Sequence, residues 1–489
     1  MERAALDTRI LILGTGFSGL GMAIRLKQAG IDDFVILEQA GDVGGTWRDN
    51  HYPGAACDVP AHLYSFSFAP NPDWSRKFAP QREILDYLRR CADRFGLRRH
   101  LRLRARVVSA RFDAAGDAWE VTTEGGATLR ASIVVSGCGG LSRPALPDIP
   151  GRARFAGAAF HSARWDHDYP LAGKAVAVIG TGASAIQFVP AIAPQVARLS
   201  LFQRTPAWVL PRRDHEISAA TRRRYARAPL TRWLRRQAIY WRNEGVAIPM
   251  TLAPRILELA ARLGVAHLRR QIADPRLRAA LTPDYTMGCK RVLLSDDYYP
   301  ALARDNVTLV TAGIERIDET GVITRDGAHH PVDAILYGTG FQAAEDVAPF
   351  PIFGRDGQEL ADVWRAGAEA YYGTAVAGFP NLFLIVGPNT GLGHSSMVLM
   401  IESQIAFILR CLERMDRARL TRLEVREDAQ RRFNAGIHRR LSRTVWASGC
   451  ASWYQTSTGK NTTLWPGFTW EFRLRTRRPR FSDFEARPA

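Results

Sequence analysis

Two short apolar runs are each followed by a glycine-rich turn and then by a helical pattern. The runs are RILIL at residues 9–13 and AVAVI at residues 175–179, and continuous apolar runs of this length are typical of buried parallel strands. A further apolar strand closes each unit, at residues 34–37 and 199–202. Strand, turn, helix, strand is the order of a βαβ unit. The pattern therefore predicts an α/β fold with two Rossmann-like dinucleotide-binding domains.

The hydrophobic pattern elsewhere predicts further elements. From about Arg213 to Pro283 the composition is helical and rich in arginine, which predicts a helical insertion in the second dinucleotide domain. The other predicted elements are a helix over 80–98, strands near 107–108, 119–122, 133–135, 332–336 and 381–386, and a helix from about Ser395. The prolines at 144, 147 and 150 are interpreted as the linker out of the first domain.

The elements divide the chain into two interleaved domains and an insertion. The first dinucleotide domain is expected at 1–145 and again at 336–489, because the chain returns to it. The second dinucleotide domain is expected at 146–212 and 286–335, with the helical insertion at 213–285 between its parts. A chain of 489 residues is too long for one hydrophobic core, which agrees with this division.

Charge and composition narrow the function less than the motifs do. The apolar fraction of 46% and charged fraction of 23% are those of an ordinary globular protein. A formal charge of +18 suits nucleic acid, an anionic membrane surface or an anionic cofactor. The sequence contains no nucleic-acid recognition motif, so a solvated arginine-rich surface is favoured, with some arginines serving an anionic nucleotide.

The six cysteines, at 57, 91, 138, 289, 411 and 450, are scattered and form no CxxC motif, and no histidine cluster has ligand spacing. They predict reduced thiols in a cytoplasmic protein and no metal site. The first residues lack the features of a signal peptide, and no apolar run reaches the length of a transmembrane helix.

The first glycine-rich turn has the Gly-x-Gly-x-x-Gly spacing of a dinucleotide site, with Gly14, Gly16 and Gly19. Such glycines permit a tight turn and let a pyrophosphate approach the helix N-terminus. Glu38 ends the next strand, nineteen residues after Gly19. A carboxylate there accepts hydrogen bonds from ribose hydroxyls and repels a 2′-phosphate, so this site is expected to bind FAD or NAD.

The second turn repeats the pattern with the opposite charge at the end of its strand. Its residues are Gly180, Thr181, Gly182, Ala183, Ser184 and Ala185. Arg204 lies nineteen residues after Ala185 and is followed by Thr205. A guanidinium at this point suits a ribose 2′-phosphate, which predicts a preference for NADPH over NADH. Two such sites on one chain predict hydride transfer from NADPH to a flavin.

Three stretches carry a family resemblance. Residues 155–166, FAGAAFHSARWD, resemble the fingerprint of Baeyer–Villiger monooxygenases, whereas related flavin monooxygenases usually end this pattern in tyrosine. The stretch GGTW at 44–47 followed by YPGAACD at 52–58 resembles a second signature of the same family. Further matches, including SWY at 452–454, extend the resemblance over nearly the whole chain.

The resemblance implies a set of site residues. Asp58 is implied beside the flavin, Lys290 on the NADP 2′-phosphate and Arg291 over the flavin, while His161 is assigned to positioning of the linker. The remaining implied contacts are Thr46, Trp47, Tyr64 and Met397 for FAD, and Trp453 for NADP.

The resemblance also implies the reaction. FAD reduced by NADPH reacts with O2 through a C4a-peroxyflavin, and one oxygen atom enters a ketone or aldehyde beside the carbonyl to give an ester or lactone. Arg291 is the expected catalytic cation, with Asp58 holding it in an ion pair. The expected partners are a carbonyl compound and O2, with no nucleic acid and no stable membrane insertion, in a monomer or homodimer.

Three alternatives stay open from the sequence. The first is oxygenation at sulfur or nitrogen, and the second is an NADPH oxidase or flavin reductase that releases H2O2 without oxygen insertion. The third is a nucleotide-sensing module without turnover. The basic insertion also suits a membrane surface, although packing of its tyrosine, tryptophan and leucine side chains on the sheet is the favoured explanation.

Overall fold

The structure is a computed structural model that describes residues 6–342 and 350–489. The absence of a signal peptide was predicted from the first residues, and residues 1–5 lie outside the described part. The strands are β1 (Thr8–Leu13), β2 (Phe34–Leu37), β3 (Leu101–Arg102), β4 (Val107–Asp113), β5 (Ala118–Thr123), β6 (Thr128–Ser136), β7 (Ala158–His161), β8 (Ala175–Ile179), β9 (Arg198–Phe202), β10 (Val209–Leu210), β11 (Leu293–Leu294), β12 (Val307–Val310), β13 (Ile314–Ile317), β14 (Gly321–Thr324), β15 (His329–Pro331), β16 (Ala334–Tyr337), β17 (Ile352–Phe353), β18 (Leu382–Leu384), β19 (Leu420–Val425) and β20 (Phe484–Pro488). The helices are α1 (Phe17–Gln28), α2 (Thr46–Asp49), α3 (Gln81–Arg94), α4 (Ala185–Ile192), α5 (Ala219–Arg227), α6 (Pro229–Thr251), α7 (Leu257–Gln271), α8 (Pro275–Leu281), α9 (Tyr298–Leu302), α10 (Leu360–Val363), α11 (Met397–Arg417), α12 (Glu427–Leu441) and α13 (Thr469–Arg477).

The first sheet is built around β1, which pairs in parallel with β2 on one side and β6 on the other. Its order is β17-β4-β5-β6-β1-β2-β3, and β18 also joins β6 in parallel. Both faces of β1 are buried, because Ile10 and Ile12 lie in one apolar cluster and Leu11 and Leu13 in another. This burial explains the continuous apolar run in the sequence.

The second sheet is parallel throughout, in the order β12-β9-β8-β16-β7. β8, α4 and β9 form its βαβ unit, and the predicted strands match to within one residue. The mixed α/β fold with two Rossmann-type units is therefore confirmed. The division of the chain at residues 145, 212, 285 and 335 stays a prediction.

The helical insertion leaves and rejoins the second unit at neighbouring points. β10 precedes it and β11 follows it, and the two strands pair in parallel, Val209 with Leu293. Between them lie α5 to α8. This closure places residues just before β11, including Lys290 and Arg291, at the end of the insertion, beside the small β10–β11 sheet.

The insertion does not pack as expected. Tyr225 is buried, but Trp233 and Trp241 on α6 are 54% and 60% exposed, and the leucines at 230 and 234 are exposed as well. The prediction that these tryptophan and leucine side chains pack on the sheet is wrong. The opposite face of α6 makes the packing contacts, through residues that include Ile239, Ala247 and Met250. Among the described residues, no helix is long and apolar enough to cross a bilayer.

Candidate active site

The first glycine turn requires glycine at two positions, because its backbone atoms lie too close together there for a side chain. Gly14 has a φ of +92°, in the left-handed region that favours glycine. A Cβ added to Gly19 would lie 1.9 Å from the carbonyl oxygen of Gly14, which no side chain tolerates. The turn therefore depends on Gly19 to close, while β1 and α1 hold its two ends.

The N-terminus of α1 faces an open cradle. A Cβ on Gly16 would meet only the Cα of Gly45, at 3.9 Å, so neither backbone is shielded by a side chain. Gly16 precedes the helix, no side chain caps it among the described residues, and its first turn carries no acid. Uncapped N–H groups and the helix dipole favour an anion here. The cradle accordingly fits the pyrophosphate of a dinucleotide.

Glu38 lies directly after β2, as the spacing predicted, and is buried. Its carboxylate accepts hydrogen bonds from the backbone N–H of Thr15 and of Ala40, at 3.1 and 2.9 Å. It also forms an ion pair with Arg48, with an N–O distance of 3.1 Å. Arg48 was not predicted from the sequence. Its position directly after GGTW at 44–47, a stretch that carries the family resemblance, is the signal that could have identified it.

Thr46 and Trp47 begin the short helix α2, next to the cradle. The Trp47 indole donates a hydrogen bond to the hydroxyl of Tyr64 at 3.1 Å, and Phe17 packs edge-on against the Tyr64 ring. Burial raises the pKa of Tyr64, so its hydroxyl keeps its proton. Three aromatic side chains thus form an apolar wall beside the first turn.

The second turn obtains its space from a neighbouring strand. Gly180 has a φ of +107°, and a Cβ there would lie 2.5 Å from the carbonyl oxygen of Gly338. Gly338 follows β16 directly, and a Cβ on it would lie 3.1 Å from the Cβ of Ala185. Gly182 and Ala183 are exposed and Ser184 is partly exposed. Because residue 338 is glycine, the second turn can have Ala185 at the position that Gly19 occupies in the first turn.

Two cations converge beyond the second turn. Lys290 lies over the ring of Tyr285, with 4.7 Å from Nζ to the ring centroid. Partial burial and the positive charge of Arg204 lower the pKa of Lys290, while the charge of Asp284 works in the opposite direction. Arg204 is exposed and lies at the carboxyl end of β9. The hydroxyl of Thr181 donates to the carbonyl of Thr205 at 3.3 Å, which ties this end of β9 to the turn. The pair suits a dianionic phosphate.

Arg291 and Asp58 form an ion pair. Nη2 and Nε of Arg291 both donate to Oδ2 of Asp58, at 2.5 and 3.2 Å, and 31% and 32% of the two side chains are exposed. Burial works to raise the pKa of Asp58, but the charge and hydrogen bonds of Arg291 outweigh it and lower that pKa. The charge of Asp58 raises the pKa of Arg291. The buried ring of Tyr454 lies beside Arg291, and burial raises the pKa of its hydroxyl.

The loop that carries Asp58 joins the two units. The side chain of Gln187, on α4, accepts from the Tyr52 hydroxyl at 3.0 Å and donates to the carbonyl of Ala56 at 3.0 Å. Gly54 packs so closely that a Cβ on it would lie 2.6 Å from the Gln187 carbonyl oxygen. The loop therefore runs from the cradle of the first turn to the helix of the second. Gln187 was not predicted, because no local pattern marks it.

Met397 and Trp453 occupy less enclosed positions. Met397 is the first residue of α11, whose N-terminus is capped by Ser396 through a hydrogen bond from the Val398 N–H at 3.2 Å. Trp453 is 44% exposed, and its ring lies 4.5 Å from that of Tyr454. Through Tyr454, the loop at 452–454 is brought against Arg291.

His161 is a buried structural residue at the end of β7. Its Nδ1 accepts from the Ala163 N–H at 3.1 Å, and its ring packs edge-on against Phe341. Burial lowers its pKa, so the ring is neutral near pH 7. Trp165, from the same fingerprint, packs on Phe160 and Phe188. The fingerprint therefore anchors the linker to the second unit.

The expectation of six reduced thiols is corrected for two of them. Cys289 and Cys450 are joined in a disulfide, with their Cα atoms 6.3 Å apart, while Cys57, Cys91, Cys138 and Cys411 are free. The partners are 161 residues apart, so no local motif indicated their pairing. The pair links the residue before Lys290 to the loop that carries Trp453. In the described ranges, no group of three or more His, Cys, Asp or Glu side chains is placed to hold a metal ion.

Comparisons with known proteins agree with this geometry. Residues 11–234 match the family described as pyridine nucleotide-disulphide oxidoreductase. A Baeyer–Villiger monooxygenase of Pseudomonas aeruginosa is 52% identical over 476 residues, which cover 97% of this chain and 90% of that protein. A Baeyer–Villiger monooxygenase of Streptomyces coelicolor is 50% identical over 491 residues, covering 100% of this chain and 94% of the relative. The solved structure of OTEMO in complex with FAD and NADP is 29% identical, with a TM-score of 0.89 and coverage of 99% of this chain and 100% of that one.

Proposed function

The chain belongs to the Baeyer–Villiger monooxygenases, and on that premise we propose that Arg291, held by Asp58, is the cation that directs oxygen to the carbonyl carbon. The enzyme is an FAD-dependent, NADPH-consuming monooxygenase that inserts one atom of O2 next to a carbonyl. The Arg291–Asp58 ion pair carries the proposal, because it lies where the loop from the first turn meets the strand that follows the insertion.

FAD, reduced by NADPH, supplies the electrons that activate O2. The residues of the first unit that would hold it are Gly14, Gly16, Gly19, Glu38, Thr46, Trp47, Asp58, Tyr64 and Met397. The open side of Gly16 supports this assignment, because a side chain there would fill space that the pyrophosphate needs, and Gly45 must lack a Cβ because one would lie 3.0 Å from the Gly16 Cα. Buried Glu38 suits unphosphorylated ribose, since its charge disfavours a second anion.

The second unit would hold NADP through Gly180, Thr181, Gly182, Ala183, Ser184, Arg204, Thr205, Lys290 and Trp453. The positive charges of Arg204 and Lys290, which act on one another, support this assignment, since a pair of cations suits the dianionic 2′-phosphate. Trp453 offers an exposed ring for stacking beside Tyr454.

Arg291 acts through its fixed positive charge. Addition of oxygen to a carbonyl places negative charge on the oxygens of the adduct, and a preorganised cation stabilises that charge most strongly where water is scarce. Arginine keeps its proton throughout, so it stabilises the anion without giving up a proton. Asp58 aligns the guanidinium, and 31% of the Arg291 side chain stays exposed and can contact the adduct.

An Arg291→Ala variant tests the proposal, because the electrons of NADPH can end either in ester or in H2O2, and both products can be measured. We expect NADPH oxidation to persist while ester formation falls at least about a hundredfold, the effect of losing one preorganised charge, with H2O2 released instead. Arg154→Ala is the matched control, since Arg154 forms an exposed ion pair with Glu319. The proposal is wrong if Arg291→Ala makes ester at the wild-type ratio of ester to NADPH.

The proposal extends to location and assembly. Three of the four free cysteines are buried, which suits a reducing cytoplasm, and the Cys289–Cys450 disulfide is the exception. We propose a cytoplasmic enzyme that acts on a small carbonyl substrate as a monomer or homodimer. Sedimentation velocity of the holoenzyme tests the oligomeric state.

A further inference from the structure

The helical insertion presents a continuous row of exposed apolar side chains. On α6, Trp233 and Trp241 are 54% and 60% exposed, and Leu252 just beyond it is 69% exposed. At 100° per residue, the α6 positions Leu230, Leu234, Trp241, Ile248 and Leu252 fall within about 40° of one another. The row therefore follows one face of a helix of 23 residues.

Neighbouring helices carry further exposed apolar side chains. Ile256, Leu259 and Leu263 continue at helical spacing after the turn into α7, and all three are more than half exposed. α13 is fixed to α6 because Glu244 accepts hydrogen bonds from the N–H and hydroxyl of Thr469. The insertion patch is defined by Leu230, Trp233, Leu234, Trp241, Ile248, Leu252, Ile256, Leu259 and Leu263, with Trp470 and Leu474 of α13.

The other side of α6 is fully engaged with the rest of the protein. Arg236 donates to the backbone carbonyls of His62 and Ser65, at 2.7 and 3.1 Å, and Glu244 is buried against Thr469. Met250 lies in an apolar cluster with Trp446 and Tyr454. Packing on the core thus leaves the apolar row as the outer surface. An exposed apolar area of this extent marks an interaction site.

The charge around the insertion patch is strongly positive. Residues 219–271 contain twelve arginines, no lysine, no aspartate and two glutamates, of which Glu244 is buried. Arg235 and Arg242 lie along one edge of the apolar row, and Arg473 and Arg477 share the exposed face of α13 with Trp470. A second copy of the chain would bring two such cationic rims together, so self-association through this face is disfavoured.

From this pattern we propose that the insertion patch is a docking surface for an anionic phospholipid bilayer. The apolar row enters the headgroup region with tryptophan at the interface, while the flanking arginines bind lipid phosphates. α6 lies flat on the bilayer and does not cross it. The attachment is peripheral and depends on both apolar contact and charge.

Vesicle sedimentation of the holoenzyme tests the proposal without any assay of turnover. The probes are vesicles of phosphatidylcholine alone and of phosphatidylcholine with an equal part of phosphatidylglycerol, in about 0.05 M and about 0.5 M NaCl. We expect binding to the anionic vesicles at low salt, and at least about fivefold less binding on neutral vesicles or at high salt.

The double variant Trp233→Ser/Trp241→Ser removes apolar contact from exposed positions. We expect at least about a tenfold loss of binding to the anionic vesicles, with NADPH oxidation unchanged. Val108→Ser/Val363→Ser is the matched control, because both valines are exposed apolar residues outside the patch, and it should bind as the wild type does.

Three outcomes would overturn the proposal. One is that the wild type stays in the supernatant with every vesicle, and another is that the double tryptophan variant binds as the wild type does. The third is a wild-type dimer in sedimentation velocity that the double tryptophan variant abolishes, which would make a second copy the occupant of the patch.

Discussion

The two glycine turns use the same backbone for opposite electrostatic tasks. Each follows a buried parallel strand and opens a helix, and in each the residue nineteen positions after Gly19 or Ala185 lies just beyond the next strand. In the first unit that residue is Glu38, buried and bonded to Thr15, Ala40 and Arg48. In the second it is Arg204, exposed and close to Lys290. Under the proposed assignment, the sign of one charge at a shared position in the fold distinguishes the nucleotides of the two units.

The two turns also differ in which residue leaves room for the tight backbone packing at their third position. In the first, Gly19 itself provides it, because a Cβ there would lie 1.9 Å from the Gly14 carbonyl. In the second, the third position is Ala185, and Gly338 of the adjoining strand provides the room. The second turn is therefore completed by Gly338, which lies 153 residues after Ala185 in the chain.

Among the substitutions considered for the two turns, Gly19→Ala should have the largest effect. The added methyl overlaps a backbone carbonyl that cannot move without opening the turn, so we expect the free energy of unfolding to fall by at least about 3 kcal/mol. Thermal unfolding and bound flavin per protein measure the loss. The mirror change Ala185→Gly is the control, expected to cost about 1 kcal/mol. A Gly19→Ala protein with full flavin and an unchanged Tm would contradict this account of the turn.

Glu38→Gln should weaken flavin binding about 10- to 100-fold, since it removes a charged acceptor of hydrogen bonds and leaves Arg48 without this partner. Titration of the apoprotein with FAD measures the change. Asp166→Asn is a suitable control, because Asp166 accepts backbone hydrogen bonds in an exposed turn of the linker. An unchanged FAD affinity would remove Glu38 from the site.

Arg204→Ala tests the charge of the second unit. The loss of charged contacts to the 2′-phosphate should raise KM for NADPH about 10- to 50-fold and leave KM for NADH nearly unchanged. Steady-state oxidation of both coenzymes measures the ratio, with Arg198→Ala, at the start of β9, as the control. Equal effects on NADPH and NADH would show that Arg204 does not contact the 2′-phosphate.

The smallest expected effect concerns Asp58 and pH. Arg291 lowers the pKa of Asp58 in the folded state, so the ion pair stabilises the protein above the unfolded pKa of about 3.9 and is lost as the pH falls through the folded value. Asp58→Asn should therefore lower Tm at pH 6, and its difference from the wild type should shrink below about pH 4. A difference that stays constant from pH 3 to pH 6 would exclude this linkage.

Local patterns allowed both βαβ units to be predicted, because strand, turn and helix follow one another in sequence. The strands at 34–37 and 175–179 have the predicted bounds. The position of Glu38 and of Arg204 at strand ends followed from the same spacing. Their distances from other groups did not, because these depend on how distant segments meet.

What the sequence left unpredicted lies in long-range contacts. Gln187 binds a loop 131 residues away, and Cys289 pairs with Cys450 across 161 residues. The outer face of α6 was also misjudged. Apolar spacing identifies a helix face but not whether that face meets the core or solvent, and on α6 the face that meets the core also carries Arg236 and Glu244.

The central claim is that the two units serve one oxygen insertion, and a balance of labelled oxygen tests it most directly. The holoenzyme would be supplied with NADPH, 18O2 and a panel of cyclic and linear ketones, and NADPH, H2O2 and labelled ester would be counted together. The account predicts one labelled oxygen atom in ester for each NADPH consumed with an accepted ketone. Stoichiometric H2O2 and no labelled ester with every ketone would contradict it and make the protein an NADPH oxidase.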